Sequence, residues 1–62
     1  MTQLLEFATF WKTVYIDPSS IVCLKASSEN ATLIYVRGME EPLTVKGDVD
    51  DIAYFIKTAV GD

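Results

Sequence analysis

Histidine is absent from the 62-residue chain, and cysteine occurs once, at Cys23. Without His the commonest general base near neutral pH is missing. One Cys cannot close an intramolecular disulfide, and with no His it cannot complete a structural zinc site. There are only two prolines and three glycines, so no Pro- or Gly-rich linker divides the chain, and residues 1–62 read as a single small domain. No apolar run approaches the ~20 residues of a membrane-spanning helix. Residues 1–16 lack a basic stretch and carry Glu6 and Lys12 among their apolar residues, unlike a secretory leader. The expectation is a cytoplasmic, reduced protein with no membrane partner. Cations are scarce as well: five Lys and Arg against nine Asp and Glu give a net charge of −4. That balance argues against a generic binder of nucleic acid or anionic membrane.

Hydrophobic residues make up 50% of the chain and aromatics 11%, too much apolar content for disorder. A domain of about 60 residues buries only about 60% of the surface its unfolded chain exposes. At this size apolar burial and the entropy of ordering each come to about 90 kcal/mol and nearly cancel. Disulfides and zinc are excluded, so self-association is the remaining source of stability.

Residues 48–61 carry the clearest helix signal. Asp48 suits the N-cap, Asp50 and Asp51 fall in the first turn where the helix dipole favours anions, and Gly61 suits the C′ position. Val49, Ile52, Ala53, Ile56, Ala59 and Val60 recur at helical spacing, with Phe55 on the flank and Tyr54, Lys57 and Thr58 opposite. The rest reads as short strands rich in β-branched and aromatic residues: 13–17, ending at the turn Asp17-Pro18-Ser19-Ser20; 21–26, then the polar loop 27–31; 32–37, turning at Gly38; and 42–46, with Pro42 at its first position. Residues 4–11 fit a helix or a strand, and their β-formers favour the strand.

Antiparallel partners share a face of the sheet. Pairing Val22 with Val36, Leu24 with Ile34, Val36 with Leu43 and Ile34 with Val45 gathers six aliphatic side chains on one face, which receives the helix. The opposite face then carries Lys25, Leu33 and Lys46, next Cys23, Tyr35 and Thr44, and then Ile21, Arg37 and Pro42. Its centre is apolar, so it needs a cover: the N-terminal aromatic segment, a curled barrel or another subunit.

Little here supports catalysis. Cys23 lies mid-strand with no His to activate it and reads as a small core residue. Ser19 and Ser20 are turn residues. Asp48, Asp50 and Asp51 lack the spacing of a calcium loop and are explained by a capped helix start. Glu40 and Glu41 read as solvated, and Gly38 and Gly47 are isolated turn glycines. No catalytic residue, metal ligand or cofactor is assigned. Tyr35 flanked by Lys25, Arg37 and Lys46 carries the most content. An aromatic platform with a cationic rim can stack a base and hold phosphates, or form the rim of a protein interface.

Over residues 12–57 the element order resembles the small FlbD-type flagellar proteins. The residues that carry this are Thr13-Val14-Tyr15-Ile16-Asp17-Pro18, Ile21, Thr32-Leu33-Ile34-Tyr35-Val36, Gly38, and Leu43-Thr44-Val45-Lys46 through Val49, Asp51 and Ile56. The chain departs from that family at Phe10-Trp11-Lys12, where the family usually has a tight Asn-Gly type turn. The resemblance implies a small accessory protein without catalysis. Short bent sheets of this kind are also similar to SH3-type and Sm-like partial barrels, which form rings through edge strands. The expected fold is α+β: four or five short antiparallel strands in one strongly bent sheet, with a C-terminal helix on one face. The expected function is a non-catalytic protein-protein assembly module that self-associates through Ile21, Leu33, Tyr35, Phe7, Phe10 and Trp11. The alternatives are an Sm-like ring binding single-stranded RNA through Lys25, Tyr35, Arg37 and Lys46, and a small phage-type inhibitor of a host protein.

Overall fold

The computed structural model describes residues 4–60. The fold is α+β, with elements in the order β1 (Leu5–Ala8), β2 (Thr13–Ile16), a 3-10 turn (Pro18–Ser20), β3 (Ile21–Ser28), β4 (Ala31–Val36), β5 (Leu43–Lys46) and α1 (Val49–Val60). The ambiguous N-terminal segment is a strand. The five strands form two antiparallel sheets, β1-β2 and β3-β4-β5, where one bent sheet was expected. The break falls at the Asp17 turn. The Asp17 carboxylate accepts from the Ser19 N–H at 2.9 Å and from the Ser19 hydroxyl at 2.8 Å. Its carbonyl accepts from the Ser20 N–H at 2.9 Å, and Pro18 has no N–H for a ladder. The Cα radius of gyration, 10.8 Å, matches the value of about 10.6 Å for a compact chain of this length.

In the three-stranded sheet Leu24 pairs with Ile34, but Val36 pairs with Ile21 and Ile34 with Leu43. Val22 is an extra residue between Ile21 and Cys23, and Ser27 another between Ala26 and Ser28. The first bulge reverses the faces of the strand before it. Ile21 therefore packs against the core, while Val22 stands 62% exposed. Residues 27 and 28 continue β3 through the second bulge, so the expected loop shrinks to Glu29 and Asn30.

The core is one cluster of Leu5, Phe7, Ile16, Ile34, Val45 and Ile52, bordered by Val14, Ile21, Leu24, Val36, Leu43, Ile56 and Ala59. It lies among the hairpin, the aliphatic sheet face and α1. Phe7 meets Phe55 edge to face, with ring centroids 5.6 Å apart. Asp48 caps α1 as expected: its carboxylate accepts the Asp51 N–H at 2.8 Å and its carbonyl the Ile52 N–H at 3.0 Å. The expected helix face is narrower than its pattern, since Ala53 and Val60 are exposed. Gly61, the expected C′ residue, lies outside the described residues.

The junction between β5 and α1 is fixed by two long-range hydrogen bonds. The Gly47 N–H donates to the Asn30 carbonyl at 2.7 Å, and the buried Thr32 hydroxyl donates to the Gly47 carbonyl at 2.8 Å. Gly47 has φ +115, and a Cβ there would sit 3.2 Å from Ile52 Cδ1. Only glycine meets both conditions without strain. Among the described residues, no helix is long and apolar enough to cross a membrane.

Candidate functional site

Strand alternation sorts the β1-β2 hairpin into two faces. Leu5, Phe7 and Ile16 are buried inward, whereas Glu6, Ala8, Thr13 and Tyr15 are exposed outward, paired Glu6 with Tyr15 and Ala8 with Thr13. The connection is Thr9-Phe10-Trp11-Lys12, and Thr9 organises it. The Thr9 hydroxyl donates to the Lys12 carbonyl at 2.7 Å and accepts from the Lys12 N–H at 2.8 Å and the Trp11 N–H at 3.2 Å. The Thr9 N–H also donates to the Lys12 carbonyl, at 2.8 Å. Thr9 is buried, and its hydroxyl does here what Asn-Gly backbone freedom does in a tighter hairpin. Sequence reasoning missed Thr9. The available signal was a hydroxyl residue opening a four-residue connection between two strand patterns.

That turn holds an aromatic pair out in solvent. Phe10 and Trp11 meet edge to face at 6.3 Å between centroids, and Phe10 is 52% and Trp11 82% exposed. Lys46 Nζ stands 5.6 Å from the Phe10 ring centroid, within cation–π range. Of the expected contact residues, Phe10 and Trp11 are therefore available at the surface. Phe7 is 3% exposed and Ile21 packs on the core, so neither is offered to a partner. Leu33 and Tyr35 are half-buried and lie on the face away from the core cluster. Leu5 and Phe7 of the N-terminal segment belong to the core on the other side, while Phe10 meets Lys46, which pairs with Ala31 on the same face as Leu33 and Tyr35.

Of the four candidate nucleic-acid residues, Lys46 is the one that the register moves away from Tyr35. Lys25 pairs with Leu33 and so lies one row from Tyr35, which pairs with Cys23. Lys46 pairs with Ala31, four residues from Tyr35 along β4 and about 13 Å away at ~3.3 Å per residue. The two-residue shift of β5 causes this separation. The backbone N–H of Arg37 donates to the Ser20 carbonyl at 2.7 Å, and its side chain is exposed. Cys23 is exposed, not a core residue, because it shares a face with Tyr35. Among the described residues, no three His, Cys, Asp or Glu side chains gather as metal ligands. No protein-family model matches the chain, and neither does any curated protein or solved structure.

Proposed function

We propose that this chain is a non-catalytic assembly module that associates with copies of itself. The observation that supports it is the amount of large apolar side chain left in water by so small a core. Trp11, Tyr15, Val22 and Tyr54 are each more than three-fifths exposed, and Trp and Tyr are among the residue types enriched as anchors of protein interfaces. The exposed thiol of Cys23 suits a reducing compartment, and the reading places the protein in the cytoplasm. Single-stranded RNA binding would draw support from a cationic rim around Tyr35, and Lys46 stands with Phe10 instead.

Solution mass by light scattering across a concentration series tests the reading. The expected result is a reversible oligomer that dissociates on dilution. A monodisperse monomer from low micromolar to about millimolar concentration refutes it and turns attention to an inhibitor or adaptor acting on another protein.

A further inference from the structure

We propose that the outer face of the three-stranded sheet docks an extended acidic segment of another protein, one that carries two carboxylates with an apolar side chain between them. Thr32, Ile34 and Val45 are fully buried, so strand alternation turns Ala31, Leu33, Thr44 and Lys46 to the opposite side of the sheet. Lys25 joins them, because it pairs with Leu33 and antiparallel partners share a face. Lys46 stands opposite Ala31. β3, β4 and β5 contain these two lysines and none of the nine acidic residues. The two lysines give the sheet a charge of +2, so the remainder of this −4 chain carries −6.

Both lysines are exposed, and they flank β4 from its two sides. Two strand spacings of about 4.8 Å and one step of two residues, about 6.6 Å, set their Cα atoms about 12 Å apart. The line joining them crosses β4 between Ala31 and the half-buried Leu33. Lys46 Nζ stands 5.6 Å from the Phe10 ring centroid. The ring holds the ammonium in place but offers no lone pair to its N–H groups, which stay open to a carboxylate. In an extended segment residues i, i+2 and i+4 face one way and span about 13 Å. Acidic residues at i and i+4 therefore reach the two ammonium groups while an apolar residue at i+2 seats on Leu33.

The sequence tells against a second copy as the source of that segment, since no two of the nine acidic residues stand four apart. Charge selects a short acidic segment over a nucleic acid. RNA carries a phosphate on every nucleotide and runs past this face onto the acidic remainder, which repels it. A segment with two carboxylates ends its charge where the lysines end, and its partner charges are complementary.

The probe is a fluorescein-labelled peptide, Ser-Thr-Glu-Thr-Leu-Thr-Glu-Thr-Ser, capped at its C-terminus as the amide. With wild type its anisotropy rises to saturation at low salt and the affinity falls as salt is added. Lys25→Glu and Lys46→Glu each weaken binding about 10-fold. Lys57→Glu makes the same charge change on α1 and leaves binding within about 2-fold. Moving the second Glu of the peptide beside the first also weakens binding about 10-fold, and the Lys25→Glu/Lys46→Glu double variant takes instead the peptide with Lys in place of both Glu residues. Circular dichroism melts confirm that each variant folds. A peptide that does not saturate, or that loses as much to Lys57→Glu as to Lys25→Glu, overturns the assignment. Oligouridylate that binds where the peptide does not, and is lost with the same lysines, overturns it in favour of RNA. Sedimentation of the same samples separates this surface from self-association: a monomeric wild type that binds the peptide keeps the acidic-segment site and loses the assembly reading.

Discussion

Thr32 is fully buried, and its hydroxyl donates to the Gly47 carbonyl 15 residues away at 2.8 Å. Thr32→Val keeps the shape and volume of the side chain and removes only that donor. The Gly47 carbonyl loses its partner in a place where water cannot take the hydroxyl's position, a loss of about 1–3 kcal/mol. Gly47 is half-buried, so some solvation of its oxygen brings the expected cost to about 1–2 kcal/mol. A chain of this length has a total stability of about 3–9 kcal/mol. With an unfolding entropy of about 2.1 cal/mol/K per residue, the melting temperature falls by about 8–15 °C. Wild type, Thr32→Val and Thr32→Ser are compared by urea and thermal unfolding at one low protein concentration, which holds any contribution of association fixed. Thr32→Ser keeps the hydrogen bond and loses a methyl group, about 1 kcal/mol. A Thr32→Val variant as stable as wild type refutes the claim that this hydrogen bond ties the sheet to the start of the helix.

The two turn glycines separate backbone strain from crowding. Gly38 has φ +88 with nothing near its missing Cβ, whereas Gly47 has φ +115 and Ile52 Cδ1 at 3.2 Å; Gly38→Ala is expected to cost about 1 kcal/mol and Gly47→Ala about 2–3 kcal/mol by chemical denaturation. Equal losses at the two sites would show that the Ile52 contact adds nothing. Thr9→Val removes the hydroxyl that accepts from Trp11 and Lys12 and is expected to cost about 1–2 kcal/mol of stability. It also loosens Trp11, whose fluorescence anisotropy falls, while Thr9→Ser retains both properties; a Thr9→Val protein with the wild-type Trp11 anisotropy removes Thr9 from the organisation of the tip.

The elements themselves were legible because each has a local cause. Asp48 and Asp17 are capping residues whose carboxylates satisfy nearby N–H groups, and such chemistry depends on a few neighbouring residues. The register was only partly legible. Leu24 opposite Ile34 follows from the pattern, but a pattern of period two cannot distinguish a ladder from the same ladder shifted by two residues. The connection between β4 and β5 decides it. Gly38 turns the chain at φ +88, the Met39 N–H donates to the Val36 carbonyl at 3.1 Å, and Pro42 has no N–H. Pairing therefore begins at Ile34 and Leu43. The aliphatic face survives this shift because two is even, but Lys46 moves away from Tyr35.

A bulge is worse than a shift for sequence reasoning, because it is odd. One extra residue at Val22 exchanges the roles of Ile21 and Val22, two β-branched aliphatics that no hydropathy pattern can rank. The hairpin shows the same limit from the other side. Phe7 and Trp11 are both aromatic and both read as contact residues, yet one is 3% and the other 82% exposed. What separates them is the place where the strand ends. Phe7 lies inside β1 at an inward position, and Trp11 lies two residues beyond the Thr9 hydroxyl that closes the turn. Which aromatics of the run reach solvent thus depends less on hydropathy than on one buried threonine. That hydroxyl takes the chain out of alternation and leaves the last aromatics of the run where the core cannot reach them.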